Sequence, residues 1–221
     1  MIFEHLVHWT LLNILSHNLN FKDKTEVCKL ILNVIKNKNP KDFEGITPLH
    51  EAASRGNLEL CELILEDPSH IESKDRYGNT PLHKAAENGH EQVFEMILNL
   101  ARNFSRDKNP SNLIGLTPLH QAAAMGRVEI CKSILRTNFA KDKNPQDIHG
   151  VTPLHKAAEY GFLEICKMIL DVVKDKNPQD FCGVTPLHEA ALMKRIEIFK
   201  LILSMTKEKN PKDLKGRTCC Y

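Results

Sequence analysis

Five histidines recur along the chain at one register: His50, His83, His120, His155 and His188. Four cysteines, Cys28, Cys61, Cys131 and Cys166, recur in the same way. Imidazoles and thiolates are the common ligands of zinc, so either series could be read as a metal ladder. The spacing argues against it. Successive histidines lie 33, 37, 35 and 33 residues apart, so each belongs to a separate layer of structure. Packed helices stand about 8–10 Å apart, whereas a zinc–nitrogen bond is about 2 Å. The cysteines form no C-x-x-C pair and share an apolar helical stripe, which reads as small core residues. No glycine-rich phosphate loop follows a strand, and no nucleophile elbow or H-E-x-x-H appears. Carboxylate pairs such as Glu66 and Asp67 fall at solvated helix ends. The expectation is a chain with no catalytic residues, no cofactor and no metal.

What positions the histidines is a repeat. Each closes a T-P-L-H tetrapeptide, beginning at Thr47, Thr80, Thr117, Thr152 and Thr185. Thr218 starts a sixth copy that breaks into T-C-C-Y. Periods of this length signal stacked units in which each touches only its neighbours. Such an array offers a long surface and not a pocket. The bulk numbers agree with a folded, aliphatic-cored protein: 42% hydrophobic, 26% charged and only 6% aromatic residues. A net charge of +2, with acids and bases interspersed, argues against a nucleic-acid partner. No run is long and apolar enough to insert in a membrane, and Met1–Leu15 lacks the basic start of a signal peptide. Unpaired core thiols point to a reducing compartment, the cytoplasm or the nucleus.

Residues 150–182 show how one unit folds. Thr152 is an N-cap and Pro153 fits the first helical position. His155 follows at the third position, from which a side chain reaches back to the cap. Ala157 and Ala158 allow close helix approach, and Gly161 ends the short helix in a left-handed conformation. Leu163, Cys166, Ile169 and Leu170 mark a second, longer helix. Pro178 stops the chain, and Asp180-Phe181-Cys182-Gly183 has the pattern of a type I β-turn.

The string G-x-T-P-L-H-x-A-A-x-x-G-x-x-E-I closely resembles the ankyrin repeat. The resemblance implies an all-α solenoid of stacked helix-turn-helix units with projecting β-turn fingers. Five units are assigned to residues 45–77, 78–114, 115–149, 150–182 and 183–215. Residues 1–44 form a divergent N-terminal capping unit, whose Thr25–Leu32 matches a second helix. Residues 216–221 are the truncated start of a further repeat.

Several departures from the family pattern carry expectations. The segment after the second helix reads D-K-N-P or a close variant, with no glycine, so that helix should run on for a further turn. Lys143, Lys176 and Lys209, where the family buries a valine, should point outward. Extra residues within Leu100–Arg106 and Arg136–Ala140 should lengthen a helix or loop. Lys194 replaces the tight-turn glycine, which strains a left-handed turn by on the order of 1 kcal/mol. The last helix pair should be partly uncovered, as in a fragment of a longer chain or an end-to-end assembly.

The resemblance implies a protein partner bound on a concave face made of turn tips and first helices. The first tip position reads Phe43, Arg76, Leu113, Ile148, Phe181 and Leu214. Large apolar residues dominate where turns favour polar ones. Exposed first-helix positions turn from polar in early units to apolar in later ones. The candidate partner-binding set is Phe43, Arg76, Ile114, Met125, Ile148, Tyr160, Phe181, Leu192 and Met193. The expected function is non-catalytic protein binding, as an adaptor, inhibitor or targeting scaffold. The rival readings are self-association through the C-terminal repeat and a regulatory subunit of an enzyme complex.

Overall fold

A computed structural model describes residues 21–105, 107, 109–137 and 142–219. The N-terminal stretch Met1–Leu15, part of the Arg136–Ala140 insertion, and Cys220 lie outside them. The described residues form eleven α-helices and one short 3-10 helix, Pro68–Glu72. An isolated bridge between Lys212 and Thr218 is the only strand-like pairing among them. Contacts divide the chain into two compact units, Met1–Leu113 and Ile114–Tyr221.

The first unit contains α1 (Phe21–Val34), α2 (Pro48–Arg55), α3 (Leu58–Ile64), α4 (Pro81–Asn88) and α5 (Glu91–Phe104). The second contains α6 (Pro118–Ala124), α7 (Val128–Arg136), α8 (Pro153–Tyr160), α9 (Leu163–Val172), α10 (Pro186–Leu192) and α11 (Ile196–Met205). Each unit has two layers. In the second, the short helices α6, α8 and α10 pack in series, and α7, α9 and α11 stack behind them. In the first, α2 packs on α4, and α1 joins the second-helix layer against α3. The helix expected at Thr25–Leu32 is therefore present, with the role the repeat pattern gives it.

The T-P-L-H tetrapeptide builds the same helix start five times. The proline stands in the first turn, and threonine and histidine form a reciprocal capping box. Each histidine Nδ1 accepts from the threonine backbone N–H, at 3.1 to 3.3 Å. The threonine hydroxyl approaches the same Nδ1 at 2.8 to 3.0 Å. Nε2 then donates to a carbonyl one repeat on: Asn79 for His50, Val151 for His120, Val184 for His155 and Arg217 for His188. These rings are cap and inter-repeat tie at once. Cys28, Cys61, Cys131 and Cys166 are fully buried, as their register demands. Burial pushes the Cys61, Cys131 and Cys166 thiols up to about 12, so they are inert at neutral pH.

The second helix does run on where a D-K-N-P variant follows it. It spans 7 residues in α3, where the S-H-I-E segment coils separately, but 10 in α9 and 10 in α11. The Leu100–Arg106 insertion lengthens α5 to 14 residues. Two of the three lysines correct the sequence reading. Lys143 and Lys176 are half-buried and turn back toward the helix end, while Lys209 makes the same bonds but stays exposed, as expected. Lys143 Nζ donates to the carbonyls of Ile134 (3.1 Å) and Thr137. Lys176 does so to Leu170 and Val173 (2.7 Å), and Lys209 to Leu203 and Thr206 (2.6 Å). The reason is physical: a helix end without a glycine cap leaves orphan carbonyls at the negative end of the dipole, and an ammonium satisfies them.

The asparagine of the same segment works in the other direction. Asn39, Asn144 and Asn177 Oδ1 accept from the backbone N–H of Leu49, Leu154 and Leu187, at 2.9 to 3.0 Å. Those amides are orphans in the first turn of the next short helix. At Lys143–Asn144 and Lys176–Asn177 the segment is thus a clamp, its lysine on the helix behind and its asparagine on the helix ahead, whereas Lys38 reaches forward to the Leu63 carbonyl and Glu66.

Candidate functional site

The finger turns are fixed by an aspartate. Asp180 Oδ1 accepts from the N–H groups of Cys182 and Val184, both at 2.8 Å, and Gly183 N–H donates to the Asp180 carbonyl at 3.0 Å. Asp42, Asp75, Asp147 and Asp213 repeat the two side-chain bonds. The turn pattern read from the sequence is therefore present, with the carboxylate as its organiser.

Within each unit the fingers are joined by one backbone bond per step. Arg76 N–H donates to the Glu44 carbonyl and Leu113 N–H to that of Tyr77. In the second unit Ile148 donates to Ile114, Phe181 to His149, and Leu214 to Cys182. The backbones stack, yet the tip side chains stay largely in solvent: Phe43, Leu113, Ile148, Phe181 and Leu214 are all exposed. Phe181 leans back on the preceding finger, where its ring occupies the space a Cβ on Gly150 would need. Arg76 is already engaged. Its guanidinium pairs with Glu44 and lies 4.7 Å from the centre of the Tyr77 ring.

The exposed positions of the short helices fall into rows. One row, at the helix ends, is Met125, Tyr160 and Met193, which are 45%, 46% and 42% exposed. The equivalent places in the first unit hold Arg55 and Asn88. Leu192 stands beside this row, 75% exposed. A second row, nearer the fingers, reads Gln121, Lys156 and Glu189, with Glu159 one turn on. Lys156 Nζ and Glu159 Oε2 are 3.1 Å apart. The second unit therefore gathers Ile114, Met125, Ile148, Tyr160, Phe181, Leu192 and Met193. Phe43 and Arg76 belong to the first unit, whose helix rows are polar.

Sequence reasoning did not single out Glu189. It is half-buried, and burial, then the nearby Glu159, hold its carboxyl above the usual range. The signal available was a glutamate on α10 at the register that holds Lys156 on α8, where it faces the carboxylate of Glu159 from the preceding repeat.

Lys194 has φ 55°, the left-handed conformation expected of the missing glycine. At the equivalent Gly126 more than φ is at stake, since a Cβ there would run into the Phe162 ring. The C-terminal pair is thinly covered, as expected. Phe199 and Leu203 are half-buried where their counterparts Cys166 and Leu170 are fully buried, and Ile196 is exposed.

Among the described residues no three His, Cys, Asp or Glu side chains cluster as a metal site requires. No helix among them is long and apolar enough to cross a membrane. Paired helices stacked in register, with capped starts and projecting turns, define a helical repeat protein. A family model of ankyrin repeats (3 copies) matches residues 15–108, 99–180 and 135–213. The chain belongs to the ankyrin repeat family, whose members are generally protein–protein interaction modules and typically non-catalytic. Comparison with curated proteins finds no match.

Proposed function

We propose that the protein is a non-catalytic binding module, an adaptor, inhibitor or targeting scaffold, that docks a protein partner on the concave face of its second unit. The observation that carries this reading is the exposed apolar row of Met125, Tyr160 and Met193, with Leu192 beside it, at the same register of three successive short helices. Aromatic and methionine side chains are enriched at interface centres. Unconnected exposed apolar residues need no explanation, but a row on adjacent repeats does. Inert core thiols suit a reducing compartment, the cytoplasm or nucleus. The test is affinity capture with mass spectrometry, using wild type and a Tyr160→Ala/Phe181→Ala variant. Partners lost from the variant at unchanged melting temperature support the reading. Equal recovery by both proteins refutes it.

A second reading rests on the thin cover of α11. There Ile196 is exposed and Phe199 and Leu203 are half-buried, which favours association through the C-terminal repeat. Light scattering across a concentration series separates the two. A protein that stays monomeric at high concentration excludes assembly by this route.

A further inference from the structure

The face proposed for the partner has a chemical bias that narrows the partner's chemistry, and the choice of occupant rests on that reading of the face. Two apolar rows run along the second unit. One is the finger tips, Ile148, Phe181 and Leu214, and the other is the helix ends with Tyr160 at their middle. Between them lies a charged strip carried by α8 and α10, which pack directly on each other. Glu189 sits in it, half-buried, and among the described residues its side chain has no hydrogen-bond or ion-pair partner. Lys156 acts on it from α8 but is already paired with Glu159. Asp180, which also bears on Glu189, adds a third carboxylate and spends Oδ1 on its own turn. Arg195 lies over Gly161, where its Nε donates to the Glu159 carbonyl at 3.3 Å, and it is not among the charges that act on Glu189.

Of the charged groups that act on Glu189, two are carboxylates and one is a cation, Lys156, which is already paired. A partner that covered this strip with hydrocarbon alone would bury Glu189 without compensation, which is costly for a charge with no partner. A cation placed there removes that penalty and gains a charge-assisted bond in a desolvated setting. We propose that the occupant of this face is a basic amphipathic protein segment: a lysine or arginine seated on Glu189 beside Glu159, with large apolar side chains before and after it on the two rows. The carboxyl of Glu189 is raised by burial first and by Glu159 second, which is consistent with a site that a cation would favour.

The probe is a phage-displayed library of random peptides, selected on the full chain. Enriched peptides should carry Lys or Arg between large apolar residues. Their affinity should fall about tenfold or more in Glu189→Gln and further in Glu189→Lys, and a peptide with that cation changed to Glu should regain binding to Glu189→Lys. Circular dichroism of Glu189→Gln checks that the fold is kept. Peptides that depend on Tyr160 and Phe181 but bind Glu189→Gln unchanged overturn the cation and leave the face standing. Peptides indifferent to Tyr160→Ala/Phe181→Ala, or no enrichment at all, overturn both.

Discussion

Acidification should destabilise this fold through its capping histidines, and His120 gives the scale. Its Nδ1 accepts from the Thr117 backbone N–H at 3.1 Å, and its Nε2–H donates to the Val151 carbonyl at 3.1 Å. Both nitrogens are satisfied by the neutral ring alone; a proton on Nδ1 would set two N–H groups against each other. Burial first of all lowers its pKa from 6.5 to about 4, and burial also lowers His50 and His155. The unfolded ring takes up a proton as pH falls through 6.5, while the folded ring resists until about 4. Stability from this group is thus full above the unfolded value and is lost as pH falls between the two. Linkage gives about 1.4 kcal/mol per pH unit in that window, so His120 alone removes about 2 kcal/mol between about pH 7.5 and about pH 5. His50 and His155 act in the same direction. With a urea dependence of about 2 kcal/mol per molar, the unfolding midpoint should drop by about 1 M or more. Asp75 and Asp213, held below the usual carboxylate range, lose their contribution only at lower pH. Glu189 titrates in the opposite sense, so the scan is repeated in Glu189→Gln. The assay is urea unfolding followed by far-UV circular dichroism, with NMR titration of the His120 ring. A midpoint that does not move, or a His120 pKa near 6.5, refutes the reasoning.

Two further predictions concern joints specific to this chain. Asn177→Ala removes the acceptor of the Leu187 N–H and should cost about 1 kcal/mol, read as a lower urea midpoint at unchanged slope. An unmoved midpoint would mean that water replaces the side chain at no loss. Lys194→Gly relieves a left-handed residue at φ 55° and should stabilise by up to about 1 kcal/mol, read the same way. Destabilisation there would show that the lysine stem contributes packing that outweighs its strain.

The helix starts were legible because T-P-L-H states its local chemistry in four adjacent residues. Thr152, Pro153 and His155 each do what short-range rules require. The far end of each histidine was not legible, because Nε2 meets a carbonyl about thirty residues on, and no local rule names that partner. Lys143 and Lys176 were misread for a related reason. A lysine replacing a buried apolar residue is ordinarily a solvated one, and only the longer helix behind it creates carbonyls that need it. On the candidate face, exposure of Tyr160 and Phe181 followed from register, whereas the half-burial of Glu189 depends on how α10 packs on α8.

The clamp between successive helix pairs has a consequence for how such a chain can be rearranged. Lys176 and Asn177 make their bonds to backbone groups, and the group ahead is the amide of a leucine that every T-P-L-H supplies. The joint therefore reads nothing about which repeat comes next. A unit moved between the Lys143–Asn144 and Lys176–Asn177 joints would meet the same acceptor and donor at both seams. The units bounded by this joint are in that sense interchangeable cassettes, so their order, and with it the row of side chains presented to a partner, can be changed without redesigning that joint.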